Sequence, residues 1–206
     1  MTTDTRTRII TAARECLLAD GYAALSTRRV AEAAGVPLSQ IHYHFRSRQG
    51  LVLAMLDAED QVRVHRQRQM YGTDAPLWKR YEQACDFLDD DLASGYVRVL
   101  QEMISVGWSD QTVAARVLDV LRGWLGVLTE VADEAQKRLG PFDIIGPRDI
   151  AGLVLLAFLG GEAMMLLGDE RQNSEIRAWL RRFGDVIRAR EEGNYRPASK
   201  DRRARR

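Results

Sequence analysis

Glycine and proline punctuate this chain at short intervals, and between them the apolar residues recur at three- and four-residue spacing. That period places side chains on one face of a helix, whereas alternation would place them on one face of a strand. No alternating or β-branched run reads as a strand. The chain must therefore bury its apolar residues by packing helix on helix, and the predicted fold is all-α with about nine helices. Its 206 residues suffice for a sizeable core without staples. Cys16 and Cys85 lie far apart and form neither a disulfide framework nor a zinc pattern, which points to a reducing cytoplasm. The opening residues lack the apolar core of a signal peptide. The most apolar stretch, 150–167, is short for a membrane span and contains Gly160, Gly161 and Glu162, so no membrane is expected.

Local signals set the element boundaries. A first helix capped by Asp4 ends at Asp20-Gly21, and Ser26 or Thr27 caps a short second one over 28–34. Gly35 stops that helix, and Pro37 opens a third over 38–44 at a first-turn position. Ser47 caps a long fourth helix. Further helices are expected over 77–93, 96–106, 110–139, 148–167 and 175–190, with Gly140-Pro141 and Gly146-Pro147 marking the clearest loop. The expected units are a three-helix head over 1–50, a larger helical body over 51–190 and a disordered basic tail over 191–206.

Charge follows the same division. Residues 1–50 hold seven arginines against four acids, and residues 191–206 six cations against three acids, so each carries +3 while the rest carries −5. A basic head on an acidic body suits a protein that presents one end to a polyanion.

Between Ser26 and Arg48, two short helices flank a tight turn, with Ala31, Ala33, Ala34 and Gly35 where the helices must approach closely. That is the form of a helix-turn-helix, whose second helix enters the major groove of DNA. Gln40 can read adenine's paired donor and acceptor, Ser39 can meet several base edges, and Leu38 can contact a thymine methyl. Arg28, Tyr43 and Arg48 can hold phosphate oxygens, which fix register rather than sequence. His42 and His44 point about 200° apart on a helix and do not suggest a metal site. Ile41 and Phe45 read as core. No metal and no cofactor is expected.

The run Thr27-Arg28-Arg29-Val30-Ala31-Glu32-Ala33-Ala34-Gly35-Val36, followed by Ile41-His42-Tyr43-His44-Phe45-Arg46-Ser47-Arg48 and Leu51, resembles the signature of the tetracycline-repressor (TetR) family. The resemblance covers about the first quarter of the chain. It implies a dimeric repressor of a palindromic DNA operator, whose helical body binds a small-molecule effector and then loses DNA affinity. It places Thr27 and Arg28 near phosphates at the start of the second helix, and Leu38, Ser39 and Gln40 at base edges. Tyr43 falls at a position against the DNA backbone, and Arg48 replaces the family's common lysine. His42 stands where tyrosine is common and Pro37 where serine is, while Arg46 adds a cation where many relatives have proline.

In the body, the resemblance implies an apolar ligand cavity. Met55, Tyr81, Phe87 and Met103 are candidate lining residues, as are Trp108, Trp124, Phe158 and Met165. The apolar residues of 148–167 extend around much of their helix, which needs partners on two sides, its own core and a second subunit. Val154, Phe158, Gly161 and Met165, with Trp179 and Phe183 on the last helix, are the expected homodimer interface. The long fourth helix is the expected lever between body and head. No nucleophile elbow, phosphate loop or dinucleotide-binding glycine pattern is present, so an enzyme is not expected. The alternative is an architectural DNA-binding module that senses no ligand.

Overall fold

The computed structural model describes residues 4–141 and 144–193. Among the described residues there are nine helices: α1 (Thr5–Ala24), α2 (Thr27–Ala34), α3 (Leu38–Phe45), α4 (Arg48–Tyr71), α5 (Leu77–Ser94), α6 (Tyr96–Gly107), α7 (Gln111–Leu139), α8 (Pro147–Leu167) and α9 (Glu170–Glu191). The all-α expectation holds.

The caps explain most of the boundaries. Ser26 Oγ accepts from the Arg29 N–H at 3.2 Å, Ser47 Oγ from the Gly50 N–H at 3.0 Å, and Asp110 Oδ1 from the Thr112 and Val113 N–H groups at 2.9 and 3.1 Å. Each satisfies a donor that the first helical turn leaves without a partner. Two boundaries differ from the sequence reading by more than two residues. Helix α1 runs to Ala24, with its backbone broken at Gly21 rather than ended there. Helix α9 begins at Glu170, five residues earlier than expected, because Asp169 accepts from the Gln172 N–H at 2.9 Å and starts the helix through the polar stretch.

The head consists of α1–α3 sealed from below by the first turns of α4. Ile9, Ala13, Leu17, Val30, Ile41 and Leu51 meet in its core, and Val52, Met55 and Leu56 continue that core into the body. Burial of each large aliphatic side chain contributes about 1.5–3 kcal/mol. The body packs α7 against α4, α6 and α8, and α9 against α5 and α8. Buried Arg80 on α5 joins α7 through Glu134, at 2.7 and 3.1 Å, and also donates to the Tyr71 carbonyl.

The boundary expected at 190 moves by one residue. Glu191 belongs to α9, and its carboxylate accepts from the Leu77 and Trp78 N–H groups at 3.1 and 3.3 Å, capping α5, whose own N-cap, Pro76, offers no side-chain acceptor. The rest of the expected basic tail, from 194 on, lies outside the described residues.

Candidate functional site

Helices α2 and α3 meet around Gly35, whose φ of 62° is the left-handed conformation glycine adopts without strain. Arg8 on α1 braces this turn by donating to the Ala34 and Gly35 carbonyls at 2.9 and 3.2 Å. With Ile41 and Phe45 turned inward, α3 leaves Ser39, His42 and Tyr43 on its free face, Tyr43 80% exposed, while Leu38 and Gln40 are half-buried beside them. Thr27 sits at the first position of α2, beside exposed Arg28. Neither Arg28 nor Arg46 has a carboxylate partner among the described residues. The head's free side therefore offers hydroxyls, an imidazole, an amide and unpaired guanidinium groups around a short protruding helix.

Arg48 departs from its expected place. Its guanidinium lies over the Tyr22 ring at 4.2 Å and donates to the Tyr22 carbonyl, so it braces α4 against α1 instead of reaching outward. His42 Nδ1 lies 3.4 Å from the Arg46 carbonyl. Arg46 itself occupies φ 65°, ψ −43° and closes a tight γ-turn in which the Ser47 N–H donates to the Phe45 carbonyl at 2.7 Å.

Two clefts lie end to end along α7 in the body, sharing Tyr71, Leu128 and Val154 as a common wall. The first, about 640 Å³ counted out to its mouth, is bordered by α4–α8, with Trp124, Phe158, Tyr96 and Glu162 among its walls. The second, about 760 Å³ on the same count, lies between α4, α5, α7, α8 and α9 and is more uniformly apolar, with Tyr81, Leu139, Ile150 and Phe183 among its walls. The space enclosed within them is smaller, about 70 Å³ in the first and 90 Å³ in the second.

Of the expected lining residues, Tyr81, Trp124 and Phe158 border a cleft. The other five border neither of these two clefts. Met55, Met103 and Met165 are buried in the core, Phe87 packs under the Arg66 guanidinium at 4.0 Å, and Trp108 stands 83% exposed at the end of α6. Side-chain size pointed to them, but size does not distinguish a filled core from an open cleft.

The expected interface residues on α8 also face the other way. Gly161 packs on α9, where an added Cβ would meet Ile176 Cγ2 at 3.3 Å and Leu180 Cδ1 at 3.5 Å. Met165 is core, and Val154 and Phe158 border the clefts. The outward face instead carries Leu153, Leu156, Met164 and Leu167, with Leu156 67% exposed. Trp179, Phe183 and Val186 form the neighbouring exposed stripe of α9, although Phe183 also reaches back to the Tyr81 ring, 5.4 Å between centroids. By length and composition α8 is apolar enough to cross a membrane, and most of it is uncovered in the single chain.

The polar end of the first cleft gave no sequence signal. Asp91 is bound by Arg63 at 3.0 Å and Arg66 at 2.6 Å, and Asp60 behind it accepts from the Trp124 indole N–H at 2.8 Å. Glu162 Oε2 and Gln67 Oε1 are closed off from solvent without a hydrogen-bond partner. Burial, reinforced by the charge of Asp91, pushes the Glu162 carboxyl up to about 8, although the nearby Gln101 amide offsets part of this.

Helix α6 connects cleft and head. Tyr96 and Leu100 line the first cleft, while Glu102 Oε2 accepts from the Tyr22 N–H at 2.6 Å and Arg98 donates to the Leu18 carbonyl at 2.7 Å. At the base of α4, Gln49 donates to Asp110 at 2.6 Å.

Residues 9–55 match the family model of bacterial regulatory proteins, tetR family, in agreement with the resemblance carried by residues 27–51. A TetR transcription regulator from Haloarcula marismortui superposes with a TM-score of 0.75 at 18% identity, over 90% of this chain and 97% of that one. A TetR-family regulator from a Rhodococcus species gives 0.73 at 19% identity, over 89% and 97%. The transcriptional regulator FadR from Bacillus subtilis, solved in complex with stearoyl-CoA, gives 0.70 at 16% identity, over 88% and 96%. At these identities the superpositions establish the shared fold. No curated protein matches the sequence.

Proposed function

We propose that this chain, which carries the DNA-binding head of the bacterial tetR regulators, is a cytoplasmic repressor that binds a palindromic operator as a homodimer and is released from it by a small, largely apolar ligand. The observation that carries this reading is the double role of α6, which borders the first cleft through Tyr96 and Leu100 and hydrogen-bonds the head through Arg98 and Glu102.

On DNA, α3 enters the major groove with Leu38, Ser39 and Gln40 at base edges. Thr27 and Arg28 at the N-terminus of α2, with His42, Tyr43 and Arg46 around α3, hold phosphates. The outward stripes of α8 and α9 cover one another across a two-fold axis and remove the exposed leucines and Trp179 from water. Two heads joined in this way must present recognition helices about 34–36 Å apart to meet successive major grooves.

Ligand in the clefts acts by favouring a spacing of the heads that DNA does not fit. The expected lever was α4, and it joins α7 through Gln49 and Asp110, but α6 is the more direct link from cleft to head. A coupling of about 1–3 kcal/mol would be ordinary, and DNA must weaken the ligand by the same amount. The fold likeness to FadR, solved with stearoyl-CoA, supports a body able to hold an apolar molecule. Footprinting on the DNA upstream of its own gene tests the reading. Protection of a symmetric site, lost when a ligand is added, is expected; protection of one asymmetric half-site by a monomer would overturn it.

A further inference from the structure

The first cleft is apolar over most of its wall, but at its polar end two acceptor atoms have no donor. Glu162 Oε2 has no hydrogen-bond partner and no arginine or lysine pairs with Glu162 among the described residues. Gln67, only 7% exposed, likewise leaves its Oε1 without a donor at the same cleft. The surrounding cations are committed to other groups, although the Arg66 Nε–H is left without an acceptor. Arg63 serves Asp91, Glu59 and the Ser94 hydroxyl and stacks on the Tyr96 ring at 4.2 Å, and Arg66 serves Asp91 and covers Phe87. Buried acceptors left in this way are costly unless something donates to them. What is missing is a group rich in N–H donors and positively charged.

We propose that the first cleft takes an organic cation, an amine-bearing head on an apolar body, with the ammonium donating to Glu162 and Gln67. This rests on the ligand-sensing reading above and narrows its ligand class. The walls fit both parts. Trp124 and Phe158 offer ring faces that attract a cation, and Leu121, Leu128 and Val154 lead the apolar body towards the second cleft. A carboxylate ligand would instead meet Glu162 and Asp91 with no free cation to offset them. Burial first, and the charge of Asp91 second, raise the proton affinity of Glu162, and a cation beside it would draw that proton off.

Isothermal titration of the full chain with n-octylamine, 1-octanol and octanoate, each below its micelle concentration, separates head group from tail. Octylamine is expected to bind about tenfold tighter than octanol, and octanoate weakest, since a charge-assisted hydrogen bond is about twice as strong as a neutral one, a difference of about 1.4 kcal/mol that is tenfold in affinity. Glu162→Gln should remove most of the preference of octylamine over octanol, with circular dichroism confirming that the variant is folded. Because the three probes are first compared on the unaltered chain, the test does not depend on the variant. Octanol or octanoate binding as tightly as octylamine would overturn the cationic head and leave the sensing body standing. Binding by none of the three would overturn both.

Discussion

Arg46 holds a backbone conformation that its own Cβ disfavours, with φ at 65° in the γ-turn between α3 and α4. Such conformations cost about 1–3 kcal/mol in non-glycine residues. Arg46→Gly should therefore raise the melting stability of the protein by about 1 kcal/mol, while removing one phosphate contact. Operator titrations over a salt series should show weaker binding to every sequence and a salt slope reduced by about one. Unchanged DNA affinity would take Arg46 out of the interface. A second residue sets a pH dependence. Glu162 binds its proton more tightly folded, at about 8, than its ordinary value of 4.5, so its contribution to stability is fully present below 4.5 and is lost as pH rises through 8. Glu162→Gln removes that loss. Its melting temperature should match the native protein at pH 4.5 and exceed it by several degrees at pH 9, since each pH unit between the two values is worth about 1.36 kcal/mol. Melting curves that stay parallel across this range would mean that Glu162 is solvated.

At the scale of elements, α6 is the link to break. Glu102→Ala removes the acceptor held by the Tyr22 N–H, and with it one of the ties between α6 and the head. Operator binding without ligand should change by no more than a few fold, whereas release by ligand should weaken, the coupling falling from the ordinary 1–3 kcal/mol towards zero. Fluorescence anisotropy of labelled operator, with and without ligand, reads both quantities. Undiminished release would assign transmission to α4 instead. The sequence was unequally informative about these elements. Head and turn were legible because caps and stops are local, Ser26, Gly35 and Ser47 each acting within three residues of where they stand. The facing of α8 was not. Its apolar residues run all the way round, so periodicity supplies a helix but no direction, and Val154, Phe158, Gly161 and Met165, expected at the interface, border a cleft or pack in the chain's own core. The polar end of the cleft was still less visible, because Gln67, Asp91 and Glu162 come from three helices and meet only in the folded chain.

For the whole molecule, the proposed subunit interface and the clefts lie on opposite sides of one helix. Leu156→Arg places a charge on the outward face of α8 without disturbing the chain's own packing, since Leu156 is largely exposed. Light scattering should find a folded monomer, and operator affinity should drop by at least tenfold as the second head is lost. A folded dimer would move the interface elsewhere. Gly161→Arg is a poorer test, because it would drive α8 from Ile176 and Leu180 and unfold the body. Helix α8 is also a party wall. Phe158 and Glu162 border the cleft, and in the proposed dimer Leu153 and Leu156 would face the neighbour across a thickness of about 10 Å. In that dimer, anything that swells one cleft would push on the wall of the other, and the two sites would not fill independently. Ligand titrations of the dimer should give a Hill coefficient different from one, and those of the Leu156→Arg monomer a coefficient of one.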